Sequence, residues 1–94
     1  MKFDYEIIWY GLAEIKLLDQ ASYILKQSKN VVITEQFYDA IKSEVDKLAY
    51  TADVYRIRKK KDISILNGKY QVKFIIGKDC VYIVDFKSAR QNTY

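Results

Sequence analysis

Residues 63–86, ISILNGKYQVKFIIGKDCVYIVDF, alternate between apolar and polar side chains on both sides of two short turns. Alternation with a period of two predicts β-strands that bury one face. Asn67 and Gly68 predict the first turn, because the central residues of a type I′ hairpin need positive φ. Gly77 opens the second turn. The C-terminal half is therefore predicted to form an antiparallel meander of three extended segments: 54–66, 69–76 and 80–86.

Two helices are predicted before this meander. The first covers residues 12–27, where apolar side chains recur with a helical period. The second runs from residue 31 or 34 to residue 49, and its apolar positions step by four, four, four and three: Ile33, Phe37, Ile41, Val45 and Leu48. Because only the polar residues 28–30 separate the two helices, we expect an antiparallel helical hairpin.

The N-terminal segment, residues 2–10, also alternates and predicts a first strand that ends at Gly11. The element order is then β-α-α-β-β-β. A helical hairpin that cannot close a core by itself must lie on a sheet, so the predicted fold class is α+β, a two-layer sandwich in a single domain, 1–94. The first strand gains a hydrogen-bonded neighbour only by joining an edge of the meander.

The composition excludes several classes of catalytic and metal site. The chain has no histidine and one cysteine, Cys80, so neither a histidine-dependent nucleophile nor a zinc site of histidine or cysteine ligands can form. We expect no metal and no cofactor. No apolar run approaches the roughly 18 residues of a membrane span, and acidic residues near the N-terminus are wrong for a signal peptide, so a cytoplasmic protein outside the membrane is expected.

Charge is distributed unevenly along the chain. Residues 1–53 hold six lysines and nine acidic residues, a net charge of −3, and residues 54–94 hold ten basic and three acidic residues, a net charge of +7. A concentrated basic surface attracts phosphate backbones or acidic polypeptides. A solvated basic face that keeps the chain soluble is the alternative interpretation.

The densest basic run is RIRKKK, at positions 56–61. In an extended strand, Arg56, Arg58 and Lys60 would share one face. Lys59 and Lys61 would share the other face, where neighbouring like charges lower lysine pKa values toward the range of a general base. A lysine-rich edge that prevents sheets from associating is the alternative.

Several segments of the sequence, taken together with the order of the predicted elements, resemble a known protein family. They are FDYEIIW at 3–9, the helix with Leu17, Leu18, Tyr23 and Ile24, VDKL at 45–48, KYQVKF at 69–74, VYIVDF at 81–86 and RQN at 90–92. With these segments the chain resembles the RelE/ParE superfamily of bacterial toxins from type II toxin–antitoxin modules. The resemblance implies a small growth-inhibiting toxin that a tightly bound cognate antitoxin neutralises.

The resemblance implies one of two activities. ParE-like members inhibit DNA gyrase and need no nuclease site. RelE-like members are endoribonucleases that cut mRNA on the ribosome, where a ribose 2′-hydroxyl attacks the adjacent phosphate. In a RelE-like enzyme, the resemblance assigns catalysis to Lys59, Lys61, Arg90 and Tyr94.

Two departures from the nuclease pattern favour the ParE-like activity. Gln71 stands where nuclease members carry an arginine, and Ser88 stands where some relatives place another. The ending FKSARQN at 86–92 is also more similar to ParE-type endings. We therefore expect a gyrase inhibitor, with a RelE-like endonuclease and a catalytically silent antitoxin- or nucleic-acid-binding member as alternatives. The expected partner-binding residues are Arg56, Arg58, Lys60, Lys73 and Arg90.

Overall fold

A computed structural model describes residues 4–88 of the chain. The elements in order are β1 (Glu6–Trp9), α1 (Gly11–Ser28), α2 (Val31–Asp46), α3 (Leu48–Ile57), β2 (Asp62–Ile65), β3 (Tyr70–Ile76) and β4 (Cys80–Ser88). The predicted α+β class is confirmed, with α1 and α2 as an adjacent helical pair and one helix more than the sequence predicted.

The four strands form one sheet in the order β1-β4-β3-β2. The pairs β2–β3 and β3–β4 are antiparallel, which confirms the predicted meander. β1 lies parallel to β4, and its register runs from Glu6 opposite Cys80 to Trp9 opposite Ile83. The first strand therefore does join an edge of the meander, beside the last strand.

The turn between β2 and β3 has the predicted type I′ geometry. The φ angles of Asn67 and Gly68 are 58° and 81°, and the Lys69 N–H donates to the Leu66 carbonyl at 3.2 Å. Leu66 itself also has a positive φ, 52°, which nothing in its side chain favours. The partly buried Leu66 side chain packs against the core, and this packing holds its backbone in that region.

The helices cover one face of the sheet and form a single core with it. The largest fully buried side chains come from both layers: Leu17, Ile41, Val45, Leu48, Val72, Phe74, Val81, Ile83 and Phe86. Each such side chain contributes roughly 1.5–3 kcal/mol through removal from water. The predicted inward faces of the meander and of α2 are confirmed by this burial.

Burial along α2 ends where the sheet ends. The ring of Phe37 packs on the ring of Tyr70, the first residue of β3, with their centres 5.2 Å apart. Ile33 lies one turn closer to the start of α2 and is 47% exposed, although it follows the same spacing. The spacing thus predicted the correct face of α2, whereas the length of the sheet decides how far along the helix that face is buried.

The prediction that residues 54–66 are all extended is wrong for the first part of the segment. Residues 48–57 form α3, and β2 begins only at Asp62. Leu48, Ala52 and Tyr55 step by four and three, and this helical spacing packs all three against the core. The spacing was present in the sequence, but the lysine run and the β-branched residues beside it obscured the signal.

The end of α3 reverses the chain within the basic run. Lys59 adopts a left-handed backbone with φ 58°, and the Lys60 N–H donates to the Tyr55 carbonyl at 2.9 Å. This hydrogen bond from just beyond the helix to its last turn is the Schellman arrangement. The alternating side-chain faces predicted for residues 56–61 therefore do not form.

Candidate functional site

The face of the sheet opposite the helices is the candidate site, and we call it the open face. Alternation along the strands places on it Glu6, Ile8, Gln71, Lys73, Ile75, Cys80, Tyr82 and Lys87. The helices bury the other face, so these side chains are the ones that the sheet presents to a partner.

The centre of the open face is apolar. The strand register places Ile8 opposite Tyr82 and Tyr82 opposite Ile75, so the three side chains form one row across β1, β4 and β3. Ile75 is 56% exposed, and the ring of Tyr10 packs against that of Tyr82 with centres 5.6 Å apart. We call Ile8, Tyr82 and Ile75 the apolar row. Ile8 and Tyr82 are half-buried beside the exposed Ile75, and apolar side chains grouped on one surface in this way are typical of protein-binding sites.

A thiol and a carboxylate lie beside the apolar row, two residues along β4 and β1 from Tyr82 and Ile8. The Cys80 Sγ donates to Glu6 Oε2 at 3.8 Å. The pKa of Tyr82 is raised above its ordinary value, first by the charge and hydrogen bond of Cys80, then by burial and by Tyr10 and Glu6. The phenol of Tyr82 therefore holds its proton more tightly than a free tyrosine and can donate a hydrogen bond to a partner.

Charges alternate at the other end of the open face. The register places Lys73 between Asp62 on β2 and Asp85 on β4. The next row places Gln71 opposite Lys87. Lys73, an expected partner-binding residue, thus stands on the open face with Asp62 opposite it on β2, whereas the Asp85 carboxylate on β4 is engaged with Lys16 on α1.

Three of the other expected partner-binding residues, Arg56, Arg58 and Lys60, do not join Lys73 on the open face. Arg56 lies on α3, donates to the Gly77 carbonyl, and places its guanidinium 5.6 Å from the centre of the Tyr5 ring. Arg58 and Lys60 are exposed in the connection after α3. The prediction that Arg56, Arg58 and Lys60 share a strand face is wrong, because α3 ends within the run.

Lys59 and Lys61, two of the residues expected in a RelE-like nuclease, do not lie on a strand either. Lys59 is the left-handed residue after α3. The carbonyl of Lys61 accepts the Phe74 N–H at 2.9 Å, beside the edge of β3. Arg90 and Tyr94 lie outside the described residues, so the expected set of four is located only for these two lysines.

One polar contact was not predicted at all. The Lys16 Nζ on α1 donates to Asp85 Oδ1 on β4 at 2.8 Å, and the same oxygen accepts the Phe86 N–H at 2.8 Å. We call these three residues the edge clasp. Lys16 and Asp85 are 69 positions apart, so no local pattern in the sequence could have indicated their contact.

A cavity of about 380 Å³ lies next to the edge clasp, lined by Lys16, Asp19, Gln20, Tyr23 and Phe86. Gln20 Nε2 donates to the Tyr70 hydroxyl at 3.4 Å at the same end of the sheet. Across residues 4–88, no group of three or more acidic, cysteine or histidine side chains is placed to hold a metal ion. None of the helices described there is long and apolar enough to cross a membrane.

Comparison with known proteins adds no identity to this geometry. No protein-family model matches the sequence, and no curated protein matches it either. The function must therefore be argued from the residues and from their arrangement.

Proposed function

We propose that the chain is the toxin of a type II toxin–antitoxin system, that it inhibits DNA gyrase by binding it as ParE-like toxins do, and that a cognate antitoxin neutralises it. The observation that carries the proposal is the apolar row on the open face. Ile8, Tyr82 and Ile75 form a connected surface on rigid strands, which suits recognition of another protein.

The distribution of cations favours binding over RNA cleavage. Cleavage through a ribose 2′-hydroxyl needs a base and several positive groups around one phosphate. Lys59 and Lys61 instead lie in the connection between α3 and β2, and Arg56 is engaged with the Gly77 carbonyl. On the open face, Lys73 has Asp62 opposite it on β2, and the Asp85 carboxylate on β4 is engaged with Lys16. This arrangement supports a non-enzymatic inhibitor.

The test combines growth with a purified reaction. Expression of the chain in bacterial cells is expected to stop growth with a DNA damage response, and the purified chain is expected to inhibit supercoiling by purified gyrase. Ile75→Asp should abolish both effects, because it places a charge in the middle of the apolar row. Ile57→Asp is the matched control, since Ile57 is 77% exposed at the end of α3 and lies away from that row.

Three results would contradict the proposal. Cleaved mRNA with loss of protein synthesis would indicate the RelE-like nuclease instead. An absence of any growth defect would indicate the catalytically silent member. Equal inhibition by wild type and a folded Ile75→Asp variant would show that the apolar row is not the gyrase-binding surface. Thermal unfolding followed by circular dichroism establishes that both variants are folded.

A further inference from the structure

Among the described residues, the second half of β4 is paired on one side only. β1 covers β4 from Cys80 to Ile83, and the last backbone contact is the Tyr10 N–H donating to the Ile83 carbonyl at 2.9 Å. The chain then leaves the sheet at Gly11 to begin α1. Within residues 4–88, no strand lies beside residues 84–87 of β4 on that side, although β3 continues to pair with β4 on the other.

The hydrogen-bonding pattern shows which backbone groups point toward this open edge. The Phe74 N–H bonds to Lys61 on the β2 side, so by alternation Lys73 and Gln71 direct their backbone groups toward β4. Their partners there are Asp85 and Lys87. Phe86 lies between these two, so its N–H and carbonyl point away from β3 and toward the open edge.

The edge clasp covers the Phe86 N–H. Its acceptor is the carboxylate of the preceding residue, Asp85, which Lys16 holds at 2.8 Å. A bulge precedes the clasp, because Lys73 pairs with Asp85 but Phe74 pairs with Ile83, leaving Val84 as an extra residue. Bulges and charged side chains commonly protect an unpaired strand edge.

The clasp is weak enough for a binding segment to displace it. The side chains of Lys16 and Asp85 are 41% and 24% exposed, and an ion pair in such a position contributes only about 0–1 kcal/mol. A backbone carbonyl from an added strand can replace the Asp85 carboxylate as the acceptor of the Phe86 N–H. After the exchange the Phe86 N–H bonds to the added strand, Lys16 bonds to a carboxylate of the partner, and the displaced Asp85 carboxylate, which is 24% exposed, is hydrated by solvent.

The cavity provides a place for a side chain of such a strand. Tyr23, which is 56% exposed, supplies aromatic surface next to the buried Phe86, and Lys16, Asp19 and Gln20 supply polar groups. Its volume of about 380 Å³ is within the range of ligand pockets, and is large enough for a bulky apolar side chain. A strand added beside β4 thus finds both backbone groups and a side-chain pocket.

We propose that an extended segment of a partner protein binds this edge as an added strand beside residues 84–87, with an apolar side chain in the cavity and a carboxylate on Lys16. Charge complementarity favours an acidic segment, because Lys16 and Lys87 both act on Asp85 and the chain carries a net charge of +4. The inference concerns binding at this edge alone, so it does not depend on gyrase being the target.

The test uses a phage-displayed library of random peptides about nine residues long, the length of a long strand. The probe is the peptide most enriched on the wild-type chain, and it is expected to contain an acidic residue beside apolar ones. Its binding should slow hydrogen exchange at the Phe86 amide, because that N–H enters a sheet hydrogen bond. An unchanged exchange rate would overturn the proposal.

Three variants measure the contribution of the clasp to this binding. Lys16→Glu should weaken binding of the enriched peptide at least about tenfold, since it reverses the charge of the side chain that faces the peptide carboxylate. Lys26→Glu is the control on the same helix, where Lys26 is exposed in the last turn, and it should leave affinity unchanged. Asp85→Ala should tighten binding, because the competing internal acceptor is gone. Equal affinity for Lys16→Glu and wild type would reject the assigned site.

Two other occupants would also overturn the proposal. If the chain alone sediments as a dimer that Lys16→Glu dissociates, a second copy occupies the edge. If removal of residues 89–94 speeds exchange of the Phe86 amide without any peptide, the C-terminal segment of the same chain occupies it. We expect the chain alone to sediment as a monomer. We also expect removal of residues 89–94, without any peptide, to leave the exchange rate of the Phe86 amide unchanged.

Discussion

The side-chain nitrogen of Lys42 lies 4.3 Å from the centre of the Trp9 ring and 5.4 Å from the centre of the Tyr38 ring. The same nitrogen is 3.9 Å from Glu14 Oε1. One ammonium group on α2 therefore contacts β1 and α1 as well as its own helix. Because β1 is a short strand at the edge of the sheet, this contact helps to hold the strand to the helical layer.

Lys42→Met is expected to lower the free energy of unfolding by about 0.5–1 kcal/mol, since it removes the cation but keeps an apolar stem. Urea unfolding followed by the fluorescence of Trp9, the single tryptophan, measures the change directly. Lys42→Arg should retain most of the stability. Lys26→Met, on the exposed side of α1, is the control, and an equal loss in both Met variants would show that the ring contact contributes nothing.

Replacement of Lys59 by glycine is expected to stabilise the fold by about 0.5–1 kcal/mol. Lys59 has a φ of 58°, a conformation that costs an L-residue energy and costs glycine none. Lys60→Gly, one residue further, is the control and should not stabilise the chain. Chemical denaturation compares the three proteins, and a loss of stability in Lys59→Gly would mean that the lysine side chain makes a contribution larger than the backbone strain.

The Lys59→Gly variant also separates the two toxin activities. Under the proposed gyrase inhibition it should still arrest growth, because Lys59 lies off the open face. A RelE-like nuclease that used Lys59 would lose its toxicity with the same substitution. Growth after induced expression, compared at equal protein levels, measures the difference.

Tyr5→Phe should destabilise the fold by about 1–2 kcal/mol. The Tyr5 side chain is 4% exposed, and its hydroxyl donates to Asp53 Oδ1 on α3 at 2.5 Å. Loss of this donor leaves a partly buried carboxylate with one hydrogen bond fewer. Tyr50→Phe is the control, because Tyr50 is 51% exposed, and it should change the unfolding free energy by less than about 0.5 kcal/mol. Equal effects of the two substitutions would contradict the assignment.

Asp85 is expected to make stability depend on pH. Burial acts to raise the pKa of Asp85, but the hydrogen bonds from Lys16 and the Phe86 N–H, with the charges of Lys16 and Lys87, outweigh it and place the pKa below its ordinary value. Since the folded protein then holds the proton less tightly than the unfolded chain, the stabilisation is present above about pH 4. It is lost as the pH falls through the lower pKa of the folded state.

Asp85→Asn provides the measurement of this dependence. At about pH 7 the variant should be less stable than wild type by about 0.5–1 kcal/mol, because an amide is a weaker acceptor for Lys16. The gap should close as the pH falls through the lowered pKa of Asp85 in the folded state, where the wild-type carboxyl also becomes neutral. Urea unfolding across this range tests the prediction, and a gap that stays constant with pH would show that the charge of Asp85 is not responsible.

Much of the fold could be predicted because its signals are local. The turn at Asn67 and Gly68 follows from two adjacent residues that tolerate positive φ. The buried faces of β3 and α2 follow from side chains two or four positions apart. The spacing of Leu48, Ala52 and Tyr55 was equally local, but the lysine run after it concealed α3. For the candidate site, Lys73 could be placed on a strand, whereas the positions of Arg56, Arg58 and Lys60 could not be predicted without the end of α3.

These local patterns could not predict the order of the strands in the sheet. Alternation in residues 2–10 shows that a strand forms, yet the same alternation fits either edge of the meander. The parallel pairing of β1 with β4 brings Ile8 beside Tyr82 and completes the apolar row. This pairing ends at Ile83. Beyond Ile83, the contact between Asp85 and Lys16 lies at the edge of β4 that β1 does not cover. These contacts join residues far apart in the chain, and only the packing of whole layers selects among the arrangements that satisfy every local preference.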